Sequence, residues 1–134
     1  MSDGDTPVEW VGSSKEDLSA FPRKVKEAMG FALRTAQKGG KHIDAKPLKG
    51  FGGAGVLEIV EDFDGNTYRG VYTVKMKGVI YVLHAFQKKS KSGIKTPEFE
   101  IKKIQQRLKM AEQAYASRKK EDDEKKSKGR KKHR

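Results

Sequence analysis

The chain has 134 residues, 36% of them Asp, Glu, Lys or Arg and 34% hydrophobic, with a formal net charge of +12. That length holds one domain, and a pI near 9.8 points to polyanionic partners, nucleic acid or ribosome ahead of anionic membrane. The absence of cysteine excludes disulfides and thiolate metal ligands. No apolar run is long enough to span a bilayer, and the opening MSDGDTPVEW is acidic and polar, unlike a secretory leader. A cytoplasmic protein is expected.

In chain order, residues 1–13 are small, polar and acidic and are expected to be flexible, with Trp10 and Val11 as a short docking piece. Ser13 or Ser14 ahead of KEDL has the form of a helix N-cap with acids in the first turn. Pro22 suits the first turn of a second helix, in which Val25, Ala28, Met29, Ala32, Leu33 and Ala36 recur at three- and four-residue intervals before Gly39 and Gly40 close it. KPLKGFGGAG is a loop by glycine content. Its GFGGAG resembles a phosphate-binding loop only superficially, because no Gly-Lys-Ser/Thr follows and a strand comes next.

Three strands are predicted over 56–61, 67–76 and 79–87, joined by a turn through Asp64-Gly65 and by KMKG, which makes an antiparallel meander. SKSGIKTP is a polar loop. Thr96 or Pro97 then opens a long helix with an imperfect stripe of Phe99, Ile101, Ile104, Leu108, Met110 and Ala111. Residues 118–134 contain no large apolar side chain and hold ten Lys/Arg against four Asp/Glu, so half of the net charge lies in a tail expected to be disordered. The order ααβββα predicts an α+β domain over 14–117: a three- or four-stranded antiparallel sheet with helices on one face and the other face open.

The third strand frames the functional question. Strict alternation places Ile80, Val82, His84, Phe86 and Lys88 on one face and Tyr81, Leu83, Ala85 and Gln87 on the other. Phe86 next to Lys88, Lys89 and Lys91 has the composition of a site that stacks a base and grips a phosphate backbone, although a lysine run is equally the mark of a solvated loop. Arg69, in the middle strand, suits a phosphate because a guanidinium is always charged and bonds two oxygens at once. Lys46 and Lys49, ahead of the first strand, are candidate phosphate contacts. The three histidines, His42, His84 and His133, have no metal-ligand spacing, and neither a metal nor a cofactor is expected.

Five segments in order, FPRKVKEAMGFALRTAQKGGK, AKPLKGFGGAGVLEIVED, TYRGVYTV, VIYVLHAFQKKSKSGIKTP and RLKMAE, resemble the phage-derived, HigB-like branch of the RelE/ParE toxin superfamily across residues 16–114. The resemblance implies a small antiparallel sheet with two N-terminal helices and a C-terminal helix. It also implies a type II toxin that cuts messenger RNA on the ribosome without a metal, through attack of the 2′-hydroxyl on the adjacent phosphate, and that is held by a cognate helix-turn-helix antitoxin. By position, Arg69 matches the arginine that contacts the scissile phosphate, and Lys88 or Lys89 matches a second cation. His84 and Phe86 match the His-x-Phe that precedes the lysines, with the histidine suited to acid–base work near neutral pH. One departure stands out: where related toxins carry Lys-x-Lys on the strand before the arginine, this chain has Glu58 and Val60, so Glu58 becomes a candidate general base. The alternatives are a gyrase-directed, ParE-like toxin and a basic module that only binds nucleic acid.

Overall fold

The computed structural model describes residues 5–51, 55–88 and 96–132. Helix α1 is Ser14–Ser19, with Ser13 at its N-cap and Glu16 and Asp17 in its first turn, where acids suit the positive end of the helix dipole. Helix α2 is Arg23–Gln37. Pro22, at φ −56° and ψ 151°, holds the extended conformation that precedes its first turn. Val25, Met29, Ala32, Leu33 and Ala36 are buried on one face of α2, each large one contributing about 1.5–3 kcal/mol through removal from water. The helix ends where Gly39 takes φ 89°.

The sheet has five strands in the order β1-β5-β4-β3-β2: β1 Val8–Trp10, β2 Ala45–Pro47, β3 Val56–Phe63, β4 Asn66–Thr73 and β5 Ile80–Lys88. The predicted meander is its centre, and Asp64 and Gly65, both at positive φ, close the β3–β4 hairpin as a two-residue turn of the kind that matches strand twist. The sheet exceeds the predicted three or four strands and is mixed, because β1 pairs in parallel with β5. The segment expected to be flexible is therefore structured from residue 5 onward. Gln37 Nε2 donates to the Thr6 carbonyl at 2.8 Å, the Ile80 amide to Pro7 and the Val11 amide to Val82. Two to three apolar side chains within a polar stretch were enough, because backbone pairing supplies the rest.

The expected open face is also absent. Leu18, Phe21 and the α2 residues pack with Ile59, Tyr68, Tyr72, Ile80, Val82 and Ala85, while Val71, Tyr81, Leu83 and Phe86 pack with Ile104 and Ala111 of α3, Glu98–Lys132. The sheet thus lies between two helical layers. Gly70 allows one of them to come close: a Cβ there would lie 3.1 Å from Met29 Sδ.

Register in β5 breaks once. Val71 pairs with His84 and Tyr72 with Val82, which leaves Leu83 as an extra residue. This bulge reverses the alternation, so Ile80, Val82 and Ala85 face α2, whereas Tyr81, Leu83 and Phe86 face α3. His84 joins the α3 side, and the predicted face of Ile80, Val82, His84 and Phe86 is split. Helix α3 continues as backbone to Lys132, past the composition break at residue 118. No helix among the described residues is long and apolar enough to cross a membrane.

Candidate active site

Four of the residues singled out by sequence converge on the α3-facing side of the sheet. Arg69 sits opposite Val60 of β3 and Phe86 of β5. Glu58, two residues from Val60 on the same face, accepts a hydrogen bond from Arg69 Nη1 at 2.6 Å, with only 7% and 12% of the two side chains exposed. Such a pair is strong because charge-assisted bonds gain from desolvation. The Glu58 carboxylate therefore lies on the candidate phosphate clamp itself.

The histidine lies one strand further. His84 is 3% exposed, its ring stacks on Phe86 with centroids 4.7 Å apart, and its Nε2 lies 2.7 Å from Glu100 Oε1 in the first turn of α3. Burial pushes the His84 pKa below its ordinary 6.5; the nearby Arg107 and Lys103 push it the same way, and Glu100 pulls it back only in part. Arg107 Nη1 donates to the Leu83 carbonyl at 3.0 Å and approaches His84 Nδ1 at 3.4 Å, while Nη2 donates to Ser13 Oγ at 3.0 Å. Gly12, at φ +58°, makes this possible, since a Cβ there would stand 2.9 Å from the guanidinium.

The strand end is thus more enclosed than the alternation implied. Phe86 is 8% exposed, and its ring is covered by His84 where a free stacking surface was expected. Lys88 pairs with Thr67 at the end of β5 and is half-buried. Lys46 lies opposite Glu58 on β2 and is exposed, as is Lys49 in the turn after that strand. Lys89 and Lys91, like His133, lie outside the described residues. No group of His, Asp and Glu among the described residues is arranged to hold a metal ion.

Sequence reasoning missed Glu100 and Arg107. The signal was their spacing with Ile104 and Ala111, which puts all four on one face of α3. The predicted stripe was rotated by comparison: Phe99 is 68% exposed and Met110 45%.

Chemically, the face offers a carboxylate beside a guanidinium, an imidazole in contact with a second carboxylate, and an aromatic ring between them, without a metal ligand set. A family model described as phage derived protein Gp49-like matches residues 16–109. None of the curated proteins compared matches the chain. Two solved structures are similar in part: a doubly substituted E. coli toxin RelE in the free state, 17% identical over 60% of this chain and 81% of that one with a TM-score of 0.46; and the toxin–antitoxin complex RelBE2 from Mycobacterium tuberculosis, 17% identical over 66% and 98% with a TM-score of 0.43.

Proposed function

Because the chain belongs to the family of phage derived Gp49-like proteins, we propose that it is the toxin of a type II toxin–antitoxin pair, of the HigB-like kind, and that it cleaves messenger RNA on the ribosome in the cytoplasm without a metal. The observation that carries this reading is the convergence of Glu58, Arg69, His84 and Phe86 on one face of the sheet.

Each residue has a role that its chemistry suits. Arg69 binds the scissile phosphate, exchanging its bond to Glu58 for bonds to phosphate oxygens and stabilising the charge that builds on them. Glu58, released by that exchange, takes the proton from the 2′-hydroxyl as the oxygen bonds to phosphorus. The 5′-oxygen of the next nucleotide departs with a proton from His84, leaving a cyclic phosphate on the upstream fragment. Phe86 stacks on a base once the strand end opens, and Lys46, Lys49 and Lys88 line the path of the backbone. A helix-turn-helix antitoxin is the proposed partner.

One observation favours a second reading, a non-enzymatic binder such as a gyrase-directed toxin. Glu58 already neutralises Arg69, and His84 is enclosed by Glu100 and Arg107. Induction of the protein in cells, with mapping of messenger RNA ends and an assay of plasmid supercoiling in parallel, separates the two. New ends within translated frames support the nuclease. Intact messages with altered supercoiling overturn it.

A further inference from the structure

We propose that Glu100 and Arg107, both on α3, are positioning residues that hold the His84 imidazole in one tautomer, with its proton on Nε2 and Nδ1 left as the nitrogen that exchanges protons with substrate. This rests on the ribonuclease reading for its catalytic meaning but not for its geometry.

The hydrogen-bond directions fix the tautomer. Arg107 has only donors, so the nitrogen that faces it at 3.4 Å, Nδ1, presents its lone pair. Glu100 Oε1, 2.7 Å from Nε2, then accepts a hydrogen bond from the Nε2–H. A carboxylate holding one imidazole nitrogen and freeing the other is the arrangement that orients a catalytic histidine in hydrolases. Here the carboxylate comes from the helix that covers the sheet, so the tautomer is set by the seating of α3.

Arg107 is suited to the seating role. One guanidinium ties the carbonyl of the bulge residue Leu83, the N-cap serine of α1 and His84 Nδ1 together, joining α3, β5 and the N-terminal segment. It also occupies the approach to Nδ1. An incoming phosphate draws a guanidinium strongly, so RNA binding would turn Arg107 from its cap on Nδ1 to a phosphate contact and let Nδ1 take up from solvent the proton that it delivers to the departing 5′-oxygen.

The charged and titratable groups around the ring are Glu100, Lys103 and Arg107 from α3 and, across β4 on the same face, the Arg69–Glu58 pair; Ser13 from the α1 side reaches the ring only through Arg107. Nitrogen-15 NMR of the imidazole reads the tautomer in the unsubstituted protein. The expected result is a protonated Nε2 and an unprotonated Nδ1 at neutral pH. A proton on Nδ1 would overturn the proposal without any variant having to fold. Titration of Glu100→Gln, which keeps an acceptor but loses the charge, should move the His84 midpoint down. Arg107→Gln, confirmed as folded by thermal unfolding, should move it up. Midpoints unchanged in both would also overturn the assignment. On messenger RNA, Glu100→Gln should lower kcat by about 10²-fold and move the alkaline limb of its pH profile with the NMR midpoint, leaving KM nearly unchanged. A wild type that shows the stated tautomer and shifts but cuts no RNA sinks the ribonuclease reading alone. RNA cleavage with unmoved midpoints sinks the positioning role alone.

Discussion

The Glu58–Arg69 pair makes the sharpest demand on experiment, because the same two atoms serve the fold and the proposed chemistry. Arg69→Ala leaves the Glu58 carboxylate, with 12% of its side chain exposed, without the guanidinium that compensates its burial. Stranding one partner of a buried pair costs about 3–5 kcal/mol. At roughly 4–5 °C per kcal/mol for a domain of this size, Tm should fall by roughly 12–25 °C. Glu58→Gln with Arg69→Met removes both charges, preserves most of the volume and should recover the larger part of that loss. Thermal and urea unfolding of Glu58→Gln, Arg69→Met and the double close a mutant cycle, and the expected coupling is favourable to the native pair. An Arg69→Ala protein within about 1 kcal/mol of wild type, the range of an exposed ion pair, would show that water screens the pair and that the burial argument fails. A consequence for functional work follows directly. Loss of toxicity in Arg69→Ala would reflect unfolding as much as chemistry, whereas Arg69→Lys keeps the charge, loses the two-pronged geometry and reports on phosphate binding with a smaller effect on folding.

Phe86→Ala should cost about 3–5 kcal/mol in urea unfolding, because the ring is buried against His84; a loss below about 1 kcal/mol would mean that the strand end opens readily. His84 has a folded pKa below its ordinary 6.5, so the unfolded chain takes up its proton first and this contribution to stability, complete above pH 6.5, is lost as pH falls through the folded value. The urea midpoint should therefore drop between pH 7 and pH 5 more steeply in wild type than in His84→Gln, and parallel curves would refute the shift. Deletion of residues 118–134 should leave Tm nearly unchanged, since the Arg118–Glu9 contact at 3.7 Å joins two half-exposed side chains and such pairs contribute about 0–1 kcal/mol. A fall of several degrees would show that the tail docks. The same deletion should weaken RNA binding most at low salt, through counterion release.

What the sequence disclosed follows the range of the forces involved. The α2 stripe and the Asp64-Gly65 hairpin were legible because both are local: one is a 3.6-residue period, the other a pair of residues that tolerate positive φ. Strand β1 was not. Its three residues show too little alternation to register, and it exists because β5 presents a free edge from the far end of the domain. The bulge at Leu83 was equally hidden. In VIYVLHAF every position is compatible with simple alternation, yet one extra residue reassigns His84 and Phe86 relative to Ile80 and Val82.

The candidate site repeats this division. Glu58, Arg69, His84 and Phe86 were found as residue types suited to the chemistry, and their convergence depends on cross-strand register. Glu100 and Arg107 escaped for a reason specific to charge. On a helix surface a charged residue normally marks the solvent side, so a stripe search places the inward face where Phe99 and Met110 lie and turns α3 away from its true seating. The inward charges are tolerable only because His84, the Leu83 carbonyl and Ser13 meet them, since a buried charge needs a partner with the right geometry. Those partners come from β5 and the α1 cap, 16 to 94 residues away in the chain. The helix that looks least committed in sequence thus carries the contacts that decide how His84 is held.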